Sequence, residues 1–119
     1  MISSIFAVLR NIPALEGVED SVLREISSKG ETVKYKKGDF VFKQGEPGNL
    51  FYVIRSGKVD VIREFQNGTS ESIVILYDDN FFGEMALLSN NPRNASIKCL
   101  DDCEFIAFNK TDFYGLLKR

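Results

Sequence analysis

The sequence predicts a mainly β fold with flanking α-helices, namely an antiparallel β-roll (jelly-roll-like) of about eight short strands. From residue 31 onward, apolar and polar residues alternate in short runs that glycine-rich turns separate. Residues 1–30 instead carry apolar residues at helical spacing. A chain of 119 residues has the length of one domain with a single core, so we expect one domain over 1–119.

The N-terminal part is predicted to form two helices. Pro13 interrupts the first apolar stripe, because proline cannot continue a helix interior. Asp20 or Ser21 can cap the second helix, and Lys29-Gly30 is typical of a helix end. The predicted inward-facing residues of the two helices are Ile5, Leu9, Ile12, Val22, Leu23 and Ile26.

Residues 31–109 form the predicted β-roll. Its strands are expected at Thr32–Tyr35, Phe40–Phe42, Leu50–Ile54, Val59–Arg63, Glu71–Tyr77, the end at Phe81-Phe82, Ala95–Leu100 and Glu104–Asn109. Asn67-Gly68 predicts a type I′ hairpin turn, because both residues accept positive φ angles. Ser72–Leu76 is too apolar for a strand with one solvated face, so we expect it to be well buried.

The two cysteines lie in the predicted last hairpin. Asp101-Asp102 would form its turn and place Leu100 opposite Cys103. Cys99 would then face Glu104, so the two thiols would not be direct partners. We expect two reduced, structural cysteines, as in other cytosolic proteins.

Composition excludes several classes of function. The sequence contains no histidine, so zinc sites and His-rich metal sites lack ligands. Ser-His and Cys-His nucleophile pairs lack their base for the same reason. No G-x-G-x-x-G motif supports dinucleotide binding. A net charge of −2 argues against nucleic-acid contact. No apolar run approaches the ~20 residues of a membrane span, and Ile5–Leu9 is too short for a signal peptide. We therefore expect a cytoplasmic binding protein without enzyme activity or cofactor.

The segment Phe81–Ile97, here called the cassette, is best suited to binding an anion. Glu84 opens a short apolar run, Met85–Leu88, that favours one helical turn, whose first N–H groups lack intrahelical partners. Arg93 can add a charge-assisted pair to a phosphate, and Gly83 permits close approach of a ligand. Glu84 suits a hydroxyl donor such as a ribose 2′-OH. The alternative is that Glu84 is a first-turn acid and Arg93 a solvated cation.

The cassette resembles the phosphate-binding cassette of the cyclic nucleotide-binding domain family. An upstream block is similar to the family's other signature, and it comprises Gly38-Asp39, Phe42–Glu46 and Phe51–Ile54 with Gly57 and Val59. The resemblance extends from about Leu15 to Phe113. It implies the β-roll fold and a cyclic nucleotide, cAMP or cGMP, as ligand.

The resemblance also implies roles for cassette residues. Gly83 and Glu84 would hold the ribose, and Arg93 would bind the exocyclic phosphate oxygens. Backbone amides near Met85, Ala86 and Ala95 would complete the phosphate site. Asn94 stands where many members carry Ser, Thr or Ala, which leaves the base preference open, with adenine favoured by family frequency.

The apolar strand before the cassette offers candidates for the base pocket. Ile73 and Val74 could line that pocket, although core packing is the more frequent role of such residues. The function expected is a cyclic nucleotide sensor that relays binding to a partner domain or protein. The alternative is a binding-incompetent member of the fold that acts as a protein-interaction scaffold.

The C-terminal part, 110–119, contains the start of a helix predicted at Asp112–Lys118. Family members usually close the pocket with a long C-terminal helix, and no helix-turn-helix follows here. We therefore expect an open pocket, a monomer and no complete transcription factor. An excised domain and a stand-alone module are both compatible with the sequence.

Overall fold

The computed structural model describes residues 4–87 and 89–117 and confirms the mainly antiparallel β fold with flanking helices. The α-helices are α1 (Ile5–Arg10), α2 (Asp20–Lys29) and α3 (Lys110–Leu117), and short 3₁₀ turns cover Pro13–Leu15 and Glu84–Leu87. The strands are β1 (Glu31–Tyr35), β2 (Phe40–Phe42), β3 (Leu50–Ser56), β4 (Val59–Glu64), β5 (Ser70–Leu76), β6 (Phe81–Phe82), β7 (Ser96–Cys99) and β8 (Cys103–Asn109).

The strands form two four-stranded antiparallel sheets, in the orders β1-β8-β3-β6 and β2-β7-β4-β5. One core lies between the sheets and is rich in aromatic residues, with Tyr52 stacked on Phe82 at 4.9 Å and Phe105 edge-on to Phe82 at 5.3 Å. A second core lies between the first sheet and the helices. The cassette follows β6, which is held at the edge of the first sheet by pairing with β3.

The N-terminal helices are confirmed, but their ends differ from the prediction. The N-cap of α2 is Glu19, which makes no side-chain cap bond, rather than the predicted Asp20 or Ser21. The Asp20 carboxylate accepts a hydrogen bond from Arg10. Gly30 has an ordinary φ of −67°, so it is not a left-handed helix end. A Cβ there would lie 2.4 Å from Ile106 Cγ2, so this glycine serves close helix–sheet packing.

The predicted last hairpin is wrong. β7 pairs with β2 and β4 in the second sheet, whereas β8 pairs with β1 and β3 in the first. The Leu100 N–H donates to the Lys58 carbonyl and Asp102 accepts from the Lys37 N–H, so the connection turns a corner between sheets. Each strand gains two neighbours in this way, whereas a terminal hairpin would give only one.

The residues predicted to lie opposite the two cysteines are also wrong, because the corner places the cysteines in different sheets. Cys103 lies opposite Tyr35 and Cys99 lies opposite Val59, and both side chains pack in the core between the sheets. The Cys103 thiol donates to the carbonyls of Lys58 and Asp101. Both cysteines are buried and free, as expected for structural thiols. Burial, followed by the neighbouring Cys103, raises the pKa of the Cys99 thiol to about 12.

Two predictions about the β4–β5 hairpin need correction. Ser72–Leu76 is not well buried: Ile73 and Val74 are 52% and 46% exposed, because β5 is an edge strand with β4 as its one neighbour. The hairpin is confirmed, but its turn is not type I′, because Asn67 lacks a positive φ. Gly68 alone takes the left-handed conformation, with φ of 86°.

The cassette and the last helix largely follow the prediction. The expected helical turn is a 3₁₀ turn at Glu84–Leu87, and Leu88 lies outside the described residues. Helix α3 starts at Lys110, two residues before the predicted Asp112, while Lys118 and Arg119 lie outside the described residues.

Candidate functional site

A cavity of about 320 Å³ lies between the cassette and the second sheet. Seven predicted site residues line it, namely Gly83, Glu84, Met85, Ala86, Arg93, Asn94 and Ala95. Ile73 and Val74 are not among the lining residues. The volume is within the usual range of small-molecule sites.

The start of the cassette has the backbone geometry that a close approach requires. Gly83 has a φ of 80°, which side chains rarely permit. A Cβ there would also lie 3.1 Å from Arg93 Nη1 and 3.2 Å from the Leu50 carbonyl oxygen. Glycine at this position therefore allows β6, the 3₁₀ turn and Arg93 to converge.

Arg93 is fixed to the loop between β2 and β3 through its main chain. Its N–H donates to the Glu46 carbonyl at 2.8 Å, and its carbonyl accepts from the Gly45 N–H at 2.8 Å. These bonds place the Arg93 side chain at one end of the cavity. Two blocks that lie far apart in the sequence thus form one site.

The Arg93 guanidinium is bound by backbone oxygens and an aromatic ring. Nη2 donates to the Leu50 carbonyl at 2.8 Å, and Nη1 donates to the Gly83 carbonyl at 3.3 Å. Cζ lies 4.0 Å from the centre of the Phe42 ring, a cation–π distance. The planar cation is therefore held in one orientation.

No carboxylate among the described residues forms an ion pair with Arg93. Burial lowers the pKa of Arg93, and this shift is opposed by Tyr52, Glu46 and Glu84. An arginine nevertheless remains protonated in proteins. The cavity thus contains a partly desolvated positive charge without a paired anion.

The other residues predicted to contact the phosphate differ in their exposure and in the hydrogen bonds that they already make. The Ala86 N–H donates to the Gly83 carbonyl at 3.2 Å, so this amide is already engaged in the turn. Met85 is 54% exposed, and Asn94 is exposed beside Arg93. Glu84 is half-buried and lines the same cavity as Arg93.

The apolar wall of the cavity includes Val61 and Leu76 rather than Ile73 and Val74. Val74 lies opposite Val61 and therefore on the same face of the sheet, but it is 46% exposed and does not line the cavity. Core packing, the more frequent role for Ile73 and Val74, is excluded by their exposure.

Comparison with known proteins now adds to this geometry. Residues 32–119 match the family model of the cyclic nucleotide-binding domain. The match covers most of the chain, including both sheets and the whole cassette. The chain belongs to the cyclic nucleotide-binding domain family. The family resemblance predicted from the two sequence blocks is therefore confirmed.

Several relatives of this cyclic nucleotide-binding domain are regulatory proteins. It is 36% identical to a cAMP-dependent protein kinase regulatory subunit of Blastocladiella emersonii over 93% of the chain, which is 28% of that subunit. It matches the Thermus thermophilus catabolite activator protein structure with a TM-score of 0.77 and 30% identity, over 91% of the chain and 51% of that protein. The solved structure of cAMP-bound PfPKA-R gives a TM-score of 0.87 and 26% identity, over 95% of this chain and 40% of that protein. The chain thus spans about a quarter to a half of these proteins' lengths.

Sequence reasoning missed several residues of this cyclic nucleotide-binding domain's site. Phe42 was assigned only to a strand and a signature block, Gly48 only to one of the glycine-rich turns between strands, and Leu50 only to a strand. Their roles come from the folded position of Arg93, which no local pattern reveals. The alternation of Val59 and Val61 with polar residues did signal an inward face on β4.

No helix in the described parts of the chain has both the length and the apolar character needed to cross a membrane.

Proposed function

We propose that this domain binds a cyclic nucleotide, with cAMP the favoured ligand, and acts as a regulatory module. The observation that carries the proposal is the Arg93 guanidinium, which is half-buried in the cavity and has no carboxylate partner in the part of the chain that the structure describes. The cyclic phosphodiester of such a nucleotide has one negative charge. A charge-assisted hydrogen bond would stabilise that anion beside Arg93.

Glu84 supplies the complementary polar contact. A carboxylate repels phosphate oxygens but accepts a hydrogen bond from a hydroxyl group, so Glu84 would bind the ribose 2′-OH. Gly83 would leave room for the sugar. Met85 and Ala95 are the remaining candidates for backbone contacts to the phosphate, because the Ala86 amide is already engaged.

The base would pack on the apolar wall that includes Val61 and Leu76. The names of related proteins support adenine, since the Blastocladiella relative is called cAMP-dependent and PfPKA-R was solved with cAMP bound. Asn94 lines the cavity and is exposed, so it remains available for the phosphate or the base. The same relatives support a regulatory rather than a catalytic role.

A relay of binding to a partner would start at α3. Tyr114 donates its hydroxyl hydrogen to the Leu87 carbonyl at the end of the 3₁₀ turn. Lys110 Nζ donates to the Ser89 carbonyl at 3.1 Å and to Asn90 Oδ1 at 2.8 Å. A ligand that shifts the cassette would therefore change the contacts of α3.

Calorimetric titration tests the proposal, with cAMP, cGMP, 2′-deoxy-cAMP and 5′-AMP as ligands. We expect cAMP to bind with a dissociation constant of about 1 μM or tighter. The 2′-deoxy analogue should bind more weakly because it cannot donate to Glu84, and 5′-AMP should bind weakly. Absence of binding by both cyclic nucleotides would contradict the proposal and favour the scaffold alternative.

A further inference from the structure

Backbone conformation does not explain why the residue beside the Arg93 guanidinium, Gly48, is a glycine. Unlike the neighbouring Gly45, Gly48 has no positive φ, so its conformation is open to other residues. A Cβ at this position would lie 2.1 Å from Arg93 Nε, 2.2 Å from Cζ and 2.5 Å from Nη2. Real Cβ atoms do not approach other atoms this closely, so an alanine here must displace the guanidinium or the loop.

Phe42 provides the second contact of the same group. Its ring centre lies 4.0 Å from Arg93 Cζ. The ring itself packs on two aromatic neighbours, Tyr52 at 6.3 Å and Phe82 at 5.9 Å. Phe42 is therefore fixed by the core between the sheets, and it presents a rigid face to the cation.

We infer that Gly48 and Phe42 are positioning residues that determine where the charge of Arg93 lies in the cavity. Four groups surround the guanidinium, namely the Phe42 ring, Gly48 and the carbonyls of Leu50 and Gly83. Within the described residues, Arg93 Nε is buried and has no hydrogen-bond partner, so these groups enclose this edge of the guanidinium. The two Nη atoms donate to the two carbonyls and have further N–H groups for a phosphate.

The inference rests on the function proposed above, since the anion that the positioned charge would meet is the cyclic phosphate. A merely structural glycine in the β2–β3 loop would act independently of Arg93. A positioning glycine acts through Arg93, so its effect must vanish when the arginine side chain is absent. A double-mutant cycle separates these two roles.

The experiment compares Gly48→Ala in the wild-type and Arg93→Ala backgrounds, by urea unfolding and by cAMP titration. Gly115→Ala is the matched control, because a Cβ there meets nothing within 4 Å and its φ is not positive. We expect Gly48→Ala to lower the urea midpoint of the wild type and to weaken cAMP binding about tenfold or more, since the Arg93 contact is worth about that much. In the Arg93→Ala background, the same change should leave midpoint and affinity nearly unaltered.

An equal loss of stability in both backgrounds, or unchanged or tighter cAMP binding by Gly48→Ala, would overturn the inference. If the wild type binds no cyclic nucleotide, the proposed function fails, while the urea cycle still decides whether Gly48 acts through Arg93. If Gly48→Ala does not fold, Phe42→Leu replaces it. That variant should weaken cAMP binding about two- to thirtyfold in the wild type and not in the Arg93→Ala background. An effect of equal size in both backgrounds would again count against positioning.

Discussion

Arg93 determines what this cavity can bind, because it brings a positive charge that no carboxylate among the described residues pairs with. Its three contacts, to the Leu50 carbonyl, the Gly83 carbonyl and the Phe42 ring, orient the cation without neutralising it. Carbonyl dipoles and an aromatic face stabilise a cation less than an anion does. A phosphate would therefore gain a partner that is already oriented.

Replacement of Arg93 tests this claim at the residue scale. Arg93→Ala should weaken cAMP binding by about tenfold to a hundredfold, since a hydrogen bond to a charged group is worth about 1.5–3 kcal/mol. Arg93→Lys should also weaken binding, because an ammonium group cannot reproduce the planar fork. Titration calorimetry measures both changes.

The control for the arginine variants is Arg55→Ala. Arg55 is partly exposed and pairs with Glu104 at 3.8 Å on the first sheet, so it does not line the cavity. Its removal should leave cAMP affinity unchanged. Equal affinities of Arg93→Ala and the wild type would remove Arg93 from the site.

At the residue scale, sequence patterns predicted the cassette better than they predicted its surroundings. Glu84 and Arg93 were recognisable because a short apolar turn separates them within one segment. Gly48 was not, because a glycine required by a turn and a glycine required by a neighbouring side chain look the same in a sequence. Ile73 and Val74 were predicted to be buried, which is wrong, because an apolar run does not reveal that its strand lies at a sheet edge.

Helix α3 is the element whose polar side chains contact the cassette. Tyr114 donates to Leu87, the last residue of the 3₁₀ turn, and Lys110 donates to Ser89 and Asn90 in the segment after it. Helix α3 also packs its apolar residues Phe113 and Leu116 into the core between the first sheet and the helices. Polar contacts thus connect α3 to the cassette, while apolar contacts connect it to the N-terminal helices.

Hydrogen exchange tests this coupling. We expect cAMP to slow amide exchange in α3 of the wild type, because the bound ligand fixes the cassette that Lys110 and Tyr114 contact. In the double variant Lys110→Met/Tyr114→Phe, the ligand-dependent slowing should decrease. Each hydrogen bond is worth about 0.5–1.5 kcal/mol, which corresponds to about a two- to tenfold change in exchange rate.

Thr111→Ala, an exposed change on the same helix, is the control and should retain the full response. If the double variant binds cAMP and shows the wild-type slowing, α3 does not receive the signal through these contacts.

At the scale of elements, the last hairpin was predicted wrongly because its two strands pair with other strands. Leu100–Asp102 is short enough for a hairpin, and the flanking strands alternate as hairpin strands do. A short connection can equally turn a corner between two sheets, and only the pairing of β2 with β7 and of β1 with β8 distinguishes the two. Pairing between distant strands is not encoded in the pattern of either strand.

At the scale of the whole molecule, the burial of Cys99 beside the corner between the sheets makes the free energy of unfolding depend on pH. Burial raises the pKa of the Cys99 thiol from 9.0 to about 12. The folded state therefore holds this proton more tightly than the unfolded state does. The resulting stabilisation is fully present below about pH 9 and is lost as the pH rises toward about 12.

Urea unfolding of the wild type and Cys99→Ala at pH 7.5 and pH 10 measures this effect. We expect the wild type to lose more stability than the variant between the two pH values. The other groups that titrate in this range are common to both proteins, so the difference reports Cys99 together with its effect on the neighbouring Tyr35 and Cys103. Identical losses would show that the Cys99 thiol titrates alike in the folded and unfolded chains.

The fold as a whole followed from the sequence because strand length, turn spacing and the two signature blocks all indicated the same β-roll. Assignment of 1–119 to one domain and a monomeric state stay predictions. The two cysteines were predicted to be structural, and they are buried, whereas the strands that they pair with were not predictable, since these depend on the corner between sheets.

The central claim is that a cyclic nucleotide binds in this cavity beside Arg93. The most direct measurement is a ¹H–¹⁵N NMR titration of the wild-type chain with cAMP. The largest shifts should fall on the amides of Gly83–Ala86 and Arg93–Ala95, with smaller changes at exposed Glu71 and Ser72 on β5. No shifts, or shifts confined to residues outside the cavity, would contradict the claim.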